Sequence, residues 1–212
     1  MYKLIVIMSL CLTTGVHSAS PLDSAPRPGT PRDFVLPAKT EFKLENGLRV
    51  TLVPFGNLPI IKVRIVVRVG NINEAKDEVW LADLTGDLMK EGTTSRSAEQ
   101  IAKEIAAMGG KVRIFVDEDS TTIRGDVLTE FGPKLVELMA DIVQNPLFPE
   151  SELPRLKKDL IRSLNIQKSQ VDSLVHERLR AAMFGDHPYG RAFPTEKMLN
   201  GYGIKAIKSF YE

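Results

Sequence analysis

The spacing of apolar and polar residues divides the chain into short alternating stretches and longer helical ones. Phe42-Lys43-Leu44-Glu45 and Leu48 to Val53 alternate on either side of Asn46-Gly47, which predicts a hairpin closed by a two-residue turn. Ile60 to Val69 is rich in β-branched residues, with Lys62, Arg64 and Arg68 on one face, and predicts a strand packed on one side. The period changes at Val79. Val79, Leu81, Leu84, Leu88 and Met89 form an apolar stripe on a helix that runs to Glu91 and stops at Gly92. Ser97 then caps a second helix, Ala98 to Met108, closed by Gly109-Gly110.

Two further strands follow, Lys111 to Val116 and Thr121 to Val127, separated by the acidic Asp117-Glu118-Asp119. Helices are predicted over Phe131 to Val143 and over Glu150 to about Gln170, where Pro154 is tolerable in the first turn. Asp172 is expected to cap another helix reaching Phe184, and a last one begins near Gly203 and runs to Tyr211. Strands first and helices interleaved predict an α+β domain: a mainly antiparallel meander covered by helices, with no internal repeat.

The first residues change the picture of where the chain resides. Lys3 and the apolar run Leu4 to Leu12 read as a secretory signal over residues 1–18, with Val16 and Ser18 small enough to permit cleavage before Ala19. The run is too short for a stable transmembrane helix. Cys11 follows the bulky Leu10, where a lipobox needs a small residue, so the expectation is an exported, periplasmic protein that is not a lipoprotein. Residues 19–38, with Pro21, Pro26, Pro28, Pro31 and Pro37, read as an extended tether, and the folded domain is expected over 39–212.

Composition then excludes several chemistries. The chain holds 28 Lys plus Arg against 27 Asp plus Glu, so no broad nucleic-acid or anionic-membrane surface is expected. Cys11 is the only cysteine and lies in the signal, which removes disulfides, thiolate catalysis and Cys-ligated metal from the mature chain. His17 leaves with the signal too. Only His176 and His187 remain, and no i, i+4 histidine pair can form.

Five segments in order carry a resemblance. They are Phe42 to Val53, Trp80 to Thr93, Ala106 to Gly110, Asn145-Pro146-Leu147-Phe148-Pro149 and His187-Pro188-Tyr189-Gly190. Over about Lys39 to Glu212 they resemble the N-terminal domain of an M16-type (insulinase, pitrilysin, mitochondrial processing peptidase-like) zinc peptidase. The resemblance implies a helix carrying His-x-x-Glu-His, whose histidines bind zinc and whose Glu deprotonates the bound water. In this chain Asp83 and Asp87 stand at the histidine positions and Gly86 at that of the Glu. The family's third ligand, a Glu further along, corresponds to Ser163, beside Arg162. The expectation is therefore no catalytic residue and no metal or other cofactor in this chain.

Other readings of these residues stay open. Asp83 and Asp87 lie four apart on one helix face, so a carboxylate metal site with Glu118 or Asp119 is conceivable, against two polar residues filling a dead pocket. His187 reads as part of a turn with Tyr189 packing down, and His176 as a surface residue. Asp117-Glu118-Asp119 reads as a solvated turn, Lys157-Lys158 as a solvated helix face, and Trp80 as an anchor at a helix start, with a pocket rim as the alternative.

The resemblance implies a non-catalytic subunit, a fragment of a longer two-domain chain, that helps form a chamber and bind peptide. It would sit beside a zinc-bearing M16 partner in a heterodimeric metalloendopeptidase. Substrate could add to the sheet edge near the first helix through backbone hydrogen bonds that need no zinc. The alternatives are a purely structural assembly protein without proteolysis, and a metallopeptidase with an aberrant site on Asp83 and Asp87.

Overall fold

The computed structural model describes residues 29–30, 33 and 35–212. The signal and most of the tether predicted above lie outside them. The chain falls into two compact units that divide between Gly56 and Asn57. Among the described residues no helix is long and apolar enough to cross a membrane.

The first unit contains the predicted hairpin. β1 (Thr40–Lys43) pairs antiparallel with β2 (Arg49–Leu52), Thr40 opposite Leu52 and Lys43 opposite Arg49. The turn differs from the expected one. Gly47 N–H donates to Leu44 O at 2.9 Å, Leu44 N–H donates to Leu48 O, and only Gly47 has positive φ, at 89°. A two-residue type I′ turn needs both central residues left-handed; Asn46 is not, so the loop is a three-residue turn with Gly47 in the left-handed position. Asn46 instead uses its side-chain Oδ1 to accept from Leu48 N–H at 3.0 Å.

The second unit is built on three strands, β3 (Ile60–Val67), β4 (Lys111–Val116) and β5 (Thr121–Leu128), each matching its predicted range closely. All pairing is antiparallel, but the order is β3-β5-β4 rather than a simple meander. β4 and β5 form a hairpin. The segment between β3 and β4 is occupied by two helices, so β3 pairs on the far side of β5. Alternation along β3 turns Ile61, Val63, Ile65 and Val67 toward the core and leaves Ile60, Lys62, Arg64 and Val66 exposed.

Helices cover the inner face. α1 (Leu81–Met89) contacts β4 on one side and α4 and α7 on another. α2 (Ala98–Ala107) starts at Ser97, whose hydroxyl accepts from Gln100 N–H at 3.2 Å while Gln100 Oε1 accepts from Ser97 N–H at 2.8 Å. α3 (Gly132–Gln144) lies over β3 and β5, where Leu135 and Met139 reach Gly125 so closely that any side chain there would collide. A 3-10 turn, Glu150–Glu152, leads into α4 (Leu153–Ser169), which buries Leu153, Leu156, Leu160 and Leu164. In α5 (Val171–Phe184) the predicted cap is displaced: Gln170 is the N-cap, and Asp172 lies inside the first turn, where its charge meets the positive end of the helix. α6 (Glu196–Gly201), capped by Thr195, was not foreseen, and α7 (Ile204–Tyr211) follows Gly203 as predicted.

Leu84, Leu88, Ile123, Leu135, Met139, Leu164, Leu199 and Ile207 are sealed from solvent in one core drawn from the sheet and from α1, α3, α4, α6 and α7. The observed architecture is the α+β arrangement expected from the pattern.

Candidate functional site

The start of α1 is not made by its own capping residue. Trp80 stands at the N-cap in a left-handed conformation, φ 67°, with no side-chain oxygen to offer. Glu74 reaches over from six residues upstream instead. Its carboxylate accepts from Trp80 N–H at 3.1 Å, from Ala82 N–H at 2.9 Å and from Asn71 Nδ2 at 3.0 Å. Free N–H groups at a helix start favour a negative charge, yet Glu74 is only 6% exposed. Burial dominates and pushes its carboxyl up to about 7, against the pull of the donors from Ala82, Asn71 and Trp80 and with help from the neighbouring charge of Asp83.

Asn71 links this cap to the helix face. The same amide nitrogen donates to Asp83 Oδ2 at 2.9 Å. Burial raises the Asp83 carboxyl above the usual carboxylate range; Asn71 opposes the shift, and the charges of Asp87 and Glu118 add to it. Asp87, one turn on, accepts from Lys90 Nζ at 2.7 Å. Between them Gly86 is buried against β4, where a Cβ would meet Val116 Cγ2 at 3.1 Å and Ile114 Cγ2 at 3.3 Å. Ser163 is exposed on α4, a helix that contacts α1, and Arg162 beside it pairs with Asp159 at 3.1 Å.

These residues do not fit a catalytic zinc. Zinc needs three nitrogen, sulfur or carboxylate ligands and an open position for water. Asp83 is already held by Asn71, Asp87 is paired with a cation, Ser163 offers a neutral hydroxyl, and Gly86 supplies no base. Among the described residues no group of three or more His, Cys, Asp or Glu is arranged to hold a metal ion. Both remaining histidines are exposed. His176 lies on α5, and His187 Nδ1 accepts from Tyr189 N–H at 3.2 Å, closing the turn with Tyr189 edge-on to its ring.

The acidic segment 117–119 is a turn with Asp117 and Asp119 exposed, as expected, but it is also bonded to distant parts of the chain. Asp117 Oδ1 accepts from Asp119 N–H and Ser120 N–H, closing the β4–β5 turn on itself. Its backbone carbonyl and that of Glu118 accept from Asn71 N–H at 3.1 Å and Ile72 N–H at 2.8 Å. Glu118 receives Arg180 Nη1, whose Nε also donates to Tyr189 O, and Asp119 Oδ1 accepts from Tyr189 OH at 2.6 Å. Glu118 does come close enough to Asp83 for their charges to interact, but it is spent on Arg180. Lys157 is likewise more than a solvated charge: its Nζ donates to Asn200 O at 2.9 Å.

Trp80 is an anchor. Its indole N–H donates to Ala192 O at 3.2 Å, its ring stands edge-on to Phe193, and Tyr202 OH donates to Val79 O at 2.7 Å beside it. The loop that follows α1 is tied by Asp141, which accepts from Thr93 Oγ1 at 2.7 Å and Arg96 Nη1 at 2.6 Å. Burial alone would raise the Asp141 carboxyl, but Thr93, Asn145, Ser95 and Arg96 outweigh it and pull it down to about 2. Glu74, Asn71 and Asp141 were not singled out from the sequence.

A helix pinned at its start and laid across an antiparallel sheet, with further helices on the same face, defines an α+β domain of one covered sheet. The sequence profile of Insulinase (Peptidase family M16) matches residues 57–195. The chain belongs to that family. Among curated relatives, it is 27% identical over 171 residues to an uncharacterized zinc protease of Rickettsia felis, covering 80% of this chain and 42% of the relative. It is 28% identical over 180 residues to the mitochondrial-processing peptidase subunit alpha of Solanum tuberosum, covering 84% of this chain and 35% of that one. The chain thus spans less than half the length of these relatives. A crystal structure described as the peptidase M16 inactive domain from Pseudomonas fluorescens matches with a TM-score of 0.73 at 21% identity, over 82% of this chain and 43% of that one. A protease structure from Helicobacter pylori matches with a TM-score of 0.77 at 22% identity, over 84% and 43%.

Proposed function

We propose that this chain is the non-catalytic member of an exported, periplasmic M16 heterodimer, forming chamber wall and peptide contact beside a partner that carries the zinc. The observation that carries the reading is the occupation of the helix α1 positions. Asp83 and Asp87 are engaged by Asn71 and Lys90, and Gly86 supplies no base and is packed tightly against the Val116 and Ile114 side chains of β4. α1 is held at its start by Glu74, Trp80 and Tyr202, and the loop that follows it is tied by Asp141.

What the domain retains in this reading is architecture: a sheet whose β4 edge is unpaired among the described residues, next to α1, where backbone groups can grip an extended peptide. The work of hydrolysis falls to the partner, and this chain's share is to bind and to orient.

Co-purification with a zinc-bearing M16 partner, followed by a peptidase assay of each protein alone and of both together, tests the proposal. The expected result is no hydrolysis by this chain alone and hydrolysis by the pair, abolished by a chelator. Stoichiometric zinc in this chain, lost in Asp87→Ala, or hydrolysis by this chain by itself, overturns it.

A further inference from the structure

The outward face of the sheet carries an unexpected charge. Register places Arg64 of β3, Arg124 of β5 and Arg113 of β4 side by side in one row across all three strands. The next row is Lys62, Asp126 and Lys111. All five cations are exposed, and Asp126 is the only carboxylate among the outward-facing strand positions. Among the described residues, only Lys111 of these five has a carboxylate within ion-pairing reach, Asp126 at 3.9 Å. Arg124 leans over the Phe115 ring at 5.0 Å.

The chain as a whole is nearly neutral, with 28 basic and 27 acidic residues, so this concentration is local. Like charges directly opposite on neighbouring strands oppose sheet formation. A triple-arginine row is therefore unfavourable to the fold unless something anionic covers it. Half-exposed apolar side chains flank these rows: Ile60 with Leu128 at one end, and Val66 and Phe115 on either side of the buried Thr122 at the other. Strands stand about 4.8 Å apart, so the row spans roughly 10 Å, a few carboxylates wide and too short for a nucleic-acid track. Apolar flanks also suit a polypeptide rather than a phosphate backbone, and planar guanidinium groups match carboxylates bidentately.

We propose that this face docks an acidic polypeptide segment with flanking apolar side chains. Resting on the chamber-wall reading above, the segment is assigned as the class of peptide that the assembly takes up. The cations meet its carboxylates, and Ile60, Leu128, Val66 and Phe115 meet its apolar residues.

The test is a fluorescence titration of the full chain with a labelled peptide of alternating Glu and Val. The comparison probes are a Lys-Val peptide, an oligonucleotide of equal charge and phosphatidylglycerol vesicles. Expected is saturable binding of the Glu-Val peptide alone, weakening with added salt. Arg124→Glu should weaken it by about tenfold or more, since it reverses the centre of the row while its new carboxylate pairs with Arg64 and Arg113 and so keeps the fold. Arg113→Gln, which only removes charge, should weaken it less, and Lys205→Glu on α7 should leave it unchanged. Unaltered binding by Arg124→Glu, no binding of the Glu-Val peptide, or equal or tighter binding of the oligonucleotide or vesicles overturns the proposal. The titration involves no peptidase, so its outcome is independent of whether the chain assembles with a zinc-bearing partner.

Discussion

At Gly86 the missing side chain lets α1 approach β4 until a Cβ there would crowd Val116 Cγ2 at 3.1 Å and Ile114 Cγ2 at 3.3 Å. Restoring a carboxylate there is then a packing problem before it is a chemical one. Gly86→Glu should lower stability by about 2–4 kcal/mol, from overpacking and from burying a charge without a partner, as read by urea denaturation. Even with Asp83→His and Asp87→His added, no hydrolysis should appear. Glu74 governs a second, pH-dependent effect. Its folded carboxyl is raised to about 7 from an ordinary value near 4.5, so the folded chain holds a proton there that the unfolded chain gives up. Stability contributed by that proton is complete below about pH 4.5 and is lost as pH rises to about 7. Asp141, lowered to about 2, acts the other way: its contribution is present above about pH 4 and fades toward pH 2. Melting temperature against pH should peak near about 4, and Glu74→Gln should flatten the falling limb between about 4.5 and 7. Neither group was conspicuous in the sequence. The partners of Glu74 are backbone N–H groups six and eight residues on, and its burial is set by tertiary packing, which no spacing of apolar residues reveals.

Among the elements, the strands were the most legible. Alternation in 111–116 and 121–128 specifies one buried face, and a slip of one residue would expose it, so pattern and structure agree almost residue for residue. The hairpin turn was legible in place but not in type, because Asn46-Gly47 also suits a three-residue loop when Gly47 alone turns left-handed. α6 is too short for its six residues to show a helical period, and only Thr195 marks its start. The acidic 117–119 turn was legible as a turn but not in its bonds, because its partners, Arg180 and Tyr189, lie 62 and 70 residues away. Sheet register supplies a prediction at this scale. Relieving the arginine row at one edge, as Arg64→Thr does, removes a like-charge contact and adds a β-branched residue. Melting temperature should rise by about 1–3 °C at low ionic strength, and the gain should shrink with added salt.

The described second unit is fastened by contacts of long reach. Trp80 and Val79, at the start of the first core helix, are held by Ala192 and Tyr202, 112 and 123 positions further along. Tyr202→Phe removes the donor to Val79 O and leaves that carbonyl unpaired in a buried setting, which should cost about 1–2 kcal/mol. Amide hydrogen exchange should show the loss first at Leu81 and Ala82. The same latch bears on the order in which the protein forms. On a ribosome, the apolar stripe of α1 emerges long before the residues that close over it. A nascent chain halted after α4 would hold α1 against β4 and α4 but without α7, Ala192 or Tyr202, leaving the side they cover open to chaperones and proteases. Closure over the start of α1 therefore waits on residues more than a hundred positions further along the chain.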